Sequence, residues 1–179
     1  MLPSWRNRPE ITANLINPAF CSEIIRECIG AFKGEINEPL PFSLAVLILP
    51  LVLNNRIRER MPKSKSNTIH AWINENEDLK IGLPKLITSF LPFSRESIMF
   101  GIAHNSFSID EYGSLDLKTR KGKLKLDDPE IKSCISKSVI LGKLFSKSGN
   151  SLTIYSILGI KPYSSRYANK KLSILQYLR

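Results

Sequence analysis

Pro41-Phe-Ser-Leu-Ala-Val-Leu-Ile-Leu-Pro-Leu-Val-Leu53 is apolar at nearly every position, and the reading of this run decides the fold. From Phe42 to Leu53 it has 12 residues and contains Pro50, whereas a membrane-spanning helix needs roughly 20 apolar residues. A helix that is apolar all round must be packed on several sides. The run therefore reads as a buried central helix, with no membrane contact expected. The expectation carries this helix on to Arg60, through Arg56 and Arg58, with a kink at Pro50 because proline removes a hydrogen bond and crowds the preceding turn.

Before that run, Asn17-Pro18 is a helix-entry signal, with Asn as cap and Pro in the first turn. Ile24, Ile25, Cys28, Ile29 and Phe32 then recur at helical spacing, giving an amphipathic helix that ends near Gly34. Ile11, Leu15 and Ile16 could form a short turn that brings the amino terminus onto the core. Pro39 and Pro41 punctuate the next loop.

After the run, Met61 to Asn67 reads as a polar loop, and Thr68 as the cap of a helix presenting Ile69, Trp72 and Ile73. Asp78 and Pro84 bracket the start of a further helix, through Leu86, Ile87, Phe90 and Leu91, that should stop by Pro92, and Ser94 should cap another through Ile98, Met99 and Ile102. Phe107 and Ile109, then Leu115 and Leu117, alternate with polar residues around Asp110-Glu-Tyr-Gly113, which is a short β-hairpin. Asp128 and Pro129 supply cap chemistry for a helix through Ile131, Ile135, Val139, Ile140, Leu144 and Phe145. Leu152 to Ile160 fits either a short helix or a strand. Leu172, Leu175 and Leu178 could make an amphipathic terminal helix.

These elements predict a mainly α protein with a small β-hairpin. We expect a winged-helix-like single domain over residues 1–162, followed by a basic C-terminal tail or helix over 163–179. Successive helices followed by a hairpin are the order of a winged helix-turn-helix, and an ordinary α+β domain is the alternative.

The chain has 179 residues, enough for a core without disulfides or metal. Cys21 and Cys28 lie about 10 Å apart along one helix, too far to join, and with Cys134 they form an odd, unpatterned set. Reduced thiols and a cytoplasmic location are expected. No secretory signal is expected, since Pro3, Arg6, Arg8, Pro9 and Glu10 interrupt the amino-terminal stretch. The net charge of +10 is unevenly placed: Met1 to Leu117 holds 12 basic and 13 acidic residues, and Lys118 to Arg179 holds 14 and 3. An anionic partner for the last third is implied, nucleic acid being the commonest.

Arg8-Pro-Glu-Ile-Thr-Ala-Asn-Leu-Ile-Asn-Pro-Ala-Phe-Cys21 followed by the apolar run resembles the middle component of bacterial three-component ABC-ATPase conflict systems, the group that includes Lamassu-type antiphage defence. The resemblance extends through Thr68-Ile-His-Ala-Trp-Ile-Asn-Glu-Asn76, Leu91-Pro-Phe-Ser-Arg-Glu96 and Thr153-Ile-Tyr-Ser-Ile-Leu-Gly-Ile-Lys-Pro162. It implies a non-catalytic accessory subunit bridging an SMC-like ABC ATPase and an effector, a nuclease being the expected kind. In that picture the amino-terminal block forms a docking surface, with Trp5, Arg8, Pro9, Asn14, Asn17 and Phe20 as candidates.

Catalytic patterns are sparse. There is no G-x-x-x-x-G-K-[ST] loop, so any ATP is expected on a partner. His70 and His104 lack zinc-site spacing. Cys21, next to a helix start, reads as a small hydrophobe rather than a reactive thiol. Asp110, Asp116 and Lys118 form a loose Mg²⁺-nuclease pattern that the solvent face of a hairpin explains better. No catalytic residue, cofactor or metal is expected. Lys118, Arg120, Lys121, Lys123 and Lys125 are the candidate DNA-binding cluster, making non-specific phosphate contacts, and Arg56, Arg58, Arg60, Lys63 and Lys65 are a second basic patch. A free-standing winged-helix transcription regulator is the alternative function, and the basic hairpin alone would permit it.

Overall fold

The computed structural model describes residues 7–9, 16–63, 67–119 and 127–160. The first long helix, α1 (Pro18–Ile36), begins as its sequence indicates: Asn17 Oδ1 accepts from the Ala19 amide at 2.8 Å, and Pro18 occupies the first turn. It ends on Asn37, whose left-handed backbone (φ 56°) lets its N–H reach the Lys33 carbonyl at 2.7 Å. Asn tolerates that conformation better than most residues. The buried face carries Cys21, Ile24, Ile25, Cys28, Ile29 and Phe32.

The apolar run is α2 (Phe42–Leu53), and Leu44, Ala45 and Leu47 through Val52 are all buried. The expected single helix to Arg60 divides, but at Asn54 and not at Pro50. Asn54 adopts an extended backbone and its side chain accepts from the Ile57 amide at 3.2 Å, starting α3 (Asn55–Glu59). A cap signal has broken the helix where the proline did not. Pro50 lies inside α2.

Thr68 caps α4 (Ile69–Glu75), which buries Ile69, Trp72 and Ile73. A 3₁₀ turn over Glu77–Lys80 follows. The two helices expected around Pro92 are one, α5 (Leu83–Ala103). Pro92 and Thr88 are both exposed, so the Thr88 carbonyl that loses its i+4 donor faces solvent. Water can replace the missing hydrogen bond there, and the helix continues.

The hairpin pairs β2 (Phe107–Ile109), introduced after β1 (Leu40–Pro41), with β3 (Ser114–Leu117). Its turn is held by Asp110 Oδ1, which accepts from the Tyr112 and Ser114 amides at 2.9 and 2.7 Å, and by Gly113 at φ 81°. The proline-rich loop supplies β1, which pairs antiparallel with β3 through Leu40 and Leu115, so the sheet order is β1-β3-β2. Pro41 is tolerated because β1 is an edge strand.

Asp128 caps α6 (Pro129–Lys147), accepting from the Glu130 and Ile131 amides at 2.8 and 2.9 Å. Its buried seam is Cys134, Ser138, Leu141, Gly142, Leu144 and Phe145, while Ile131, Ile135, Val139 and Ile140 are only half-buried. Small residues win the seam because α6 packs closely along α1, its most extensive contact. A Cβ at Gly142 would overlap the Cys28 carbonyl oxygen and lie 3.0 Å from Ala31 Cβ. Residues 152–157 resolve as helix: α7 (Ser151–Ile157) is capped by Asn150 and tied to α2 by the Tyr155 hydroxyl donating to the Ser43 carbonyl at 2.7 Å. The architecture is thus mainly helical, with one small three-stranded sheet among the described residues. The tail over 163–179 lies outside the described residues.

Candidate functional site

The second basic patch is largely engaged within the fold. Arg56 and Arg60 both hold the Asp78 carboxylate at 2.6 Å, from opposite ends of α3 to the 3₁₀ turn. Arg56 first, then Arg60, keeps that carboxyl below its ordinary range. Arg58 is 5 % exposed and is a core cation, not a surface one. It donates to the Val52 and Leu53 carbonyls at 3.1 and 3.4 Å, to Asn55 Oδ1 at 2.8 Å and to Glu130 at 3.0 Å. It thereby ties the α2–α3 junction to the start of α6. Lys63 is exposed, and Lys65 lies outside the described residues.

Lys63 has a neighbour that the linear reading missed. Lys137, from α6, donates to the Met61 carbonyl at 2.9 Å. Partial burial first, and then the charge of Lys63, lower its amine below the usual lysine value. Lys137 is 74 residues from Lys63, so no spacing pattern could have paired them.

Of the hairpin cluster, Lys118 is exposed at the end of β3. Arg120, Lys121, Lys123 and Lys125 lie outside the described residues. The loose nuclease pattern is divided between structural tasks: Asp110 holds the turn, and Asp116 accepts from Lys33 Nζ of α1 at 2.6 Å. That contact, with a lesser one from the Leu117 amide, holds the Asp116 carboxyl below its ordinary value. Cys21 and Cys28 are fully buried, and burial pushes the Cys21 thiol up to about 12 and the Cys28 thiol also upward. Both stay protonated at neutral pH. His70 is exposed on α4, and His104 stacks on Phe100 at 3.9 Å.

The amino-terminal candidates separate by role. Arg8 makes a two-pronged bond to Glu96 of α5, at 2.7 and 2.6 Å, with its side chain 5 % exposed. Asn17 caps α1, Phe20 packs half-buried on the core, and Pro9 is exposed. Trp5 and Asn14 lie outside the described residues. The Arg8–Glu96 pair joins two of the stretches whose sequences carried the family resemblance, 8–21 and 91–96. The profile of the ABC-three component (ABC-3C) system Middle Component 3 family matches residues 5–162. The chain belongs to that family.

No curated protein and no solved structure matches this middle component. As a middle component it works with the other components of such a system. Among the described residues no helix is long and apolar enough to cross a membrane.

The surface that the sequence reading missed is the outward side of α5. At 100° per residue, Lys85, Thr88, Pro92, Arg95, Met99 and Ala103 fall on one side of the helix. All are exposed or half-exposed, and Leu91 flanks them. Expecting a helix break at Pro92 hid this stripe, because the two halves then had no common face.

Proposed function

We propose that this middle component is a non-catalytic accessory subunit of an antiphage or antiplasmid defence complex. It bridges an SMC-like ABC ATPase, which binds the ATP and senses DNA, and an effector of nuclease type, in a cytoplasmic complex of the Lamassu kind. The family match over residues 5–162 carries the reading. The strand order supports the winged-helix element of it, since β1 leaves α1 and pairs with the second strand of the hairpin that follows α5.

Non-specific DNA contact belongs to the basic third of the chain, beginning at Lys118. The charge imbalance supports this, and Lys63 with Lys137 adds one pair of neighbouring cations. Phosphate contacts of that kind need no base readout and weaken steeply with salt.

The decisive experiment co-expresses the chain with the ATPase and effector of its own system and measures complex formation, then titrates duplex DNA at several salt concentrations. A ternary complex is expected, with sequence-indifferent DNA binding. If Lys118, Arg120, Lys121, Lys123 and Lys125 all meet phosphates, the log–log salt slope approaches about −4.5 and flattens when they are replaced by alanine. A monomer that ignores both components overturns the accessory reading. Tight, operator-specific binding by a dimer would support the free-standing regulator instead.

A further inference from the structure

We infer that the outward face of α5 seats an acidic, aliphatic helix belonging to one of the other two components of the system; this rests on the accessory-subunit reading above. Exposed apolar residues share this face with two cations, Lys85 and Arg95. Met99 is 44 % exposed and Leu91 38 % exposed, with Pro92 and Ala103 exposed on the same side. Along 21 residues the helix offers a strip about 31 Å long, enough for a partner helix of similar length. Aliphatic and methionine side chains in such a strip are the anchors that helix-in-groove recognition uses.

Charge identifies the occupant. Lys85 and Arg95 stand on the strip about 15 Å apart, and Glu96, the carboxylate of α5, is already clamped by Arg8. The face thus presents positive charge with no free negative charge of its own helix. The chain's own carboxy-terminal residues, 161–179, hold five basic and no acidic residues, so they repel this face. A second copy docked face to face would oppose Lys85 and Arg95 with their own equivalents. A partner helix with two carboxylates near ten residues apart satisfies both cations and leaves its aliphatic positions on Leu91 and Met99. Nucleic acid fits poorly, because Leu91, Pro92 and Met99 surround Arg95 along the middle of the strip, where a groove-reading helix presents hydrogen-bonding side chains.

Two variants test the assignment against the purified ATPase and effector of the same system, with thermal melting as the folding control. Leu91→Glu/Met99→Glu places carboxylates at exposed positions, and Arg95→Glu reverses one charge without touching an apolar anchor. The parent binds one component, the double variant loses about tenfold or more of that affinity, and Arg95→Glu weakens it in a way that a compensating acidic-to-lysine change in the partner restores. Unchanged affinity for both components in both folded variants overturns this assignment while leaving the accessory reading intact. A parent that binds neither component overturns both. Variants that keep both components but lose affinity for a random-sequence duplex assign the face to nucleic acid and overturn the inference.

Discussion

Replacing Gly142 with alanine sets two opposing effects against each other, and the α1–α6 packing decides the sign. In an open helix the change would stabilise by up to about 1 kcal/mol, because alanine has the better helix propensity. Here the added Cβ overlaps the Cys28 carbonyl oxygen and approaches Ala31 Cβ at 3.0 Å and the Phe32 amide nitrogen at 3.1 Å. All three neighbours belong to the framework of α1, so none can rotate aside. The helices must separate by about 1 Å, and a gap of that size forfeits a quarter to a half of each dispersion contact along the seam. Overpacking of this kind costs about 1–3 kcal/mol, which exceeds the propensity gain. The net expectation is a loss of about 1–2 kcal/mol, read as a melting temperature roughly 2–8 °C lower for a chain of this size. Gly34→Ala, in α1 with nothing within 4 Å of the new Cβ, supplies the internal control and should raise the melting temperature by a few degrees. Calorimetry or circular-dichroism melts of the three proteins suffice. A Gly142→Ala protein as stable as its parent would refute the close approach of α1 and α6.

Arg58→Met should cost about 2–4 kcal/mol in urea denaturation, because the Val52 and Leu53 carbonyls lose a buried donor. Glu130→Gln should cost under about 1 kcal/mol, since Glu130 is 74 % exposed; comparable losses in the two variants would mean that the ion pair, and not the carbonyl bonds, makes Arg58 important. Asp116 contributes stability that is present above the ordinary carboxylate pKa and is lost as pH falls through its depressed folded value. Below about pH 4 the parent should therefore lose stability more steeply than Asp116→Asn, and parallel pH profiles would exclude the Lys33 contact as the cause.

The helix starts at Pro18, Ile69 and Pro129 were legible because a cap and its amide partners lie within three residues of each other. The turn at Asp110 to Gly113 was legible for the same reason. The break between α2 and α3 was not, since Asn54 and Pro50 both signal an interruption and local chemistry does not rank them. Pro92 was misread because a proline's effect on a helix depends on which side faces water.

Of the candidate site, Lys118 stays at the surface, whereas Arg58 does not. A run of arginines has the same appearance in the chain whether or not Glu130 and two carbonyls fold back onto its middle member. Read along the chain alone, the residues establish a helical core around Phe42–Leu53, a hairpin near Gly113 and a basic final third, all of which follow from periodicity, turn chemistry and charge over short spans. The seam of Ser138 and Gly142 against α1, the strand β1, the pairing of Lys33 with Asp116 and the uninterrupted outward face of α5 all depend on residues distant in sequence. Burial and charge pairing are properties of neighbours in space, so only the folded chain could decide them.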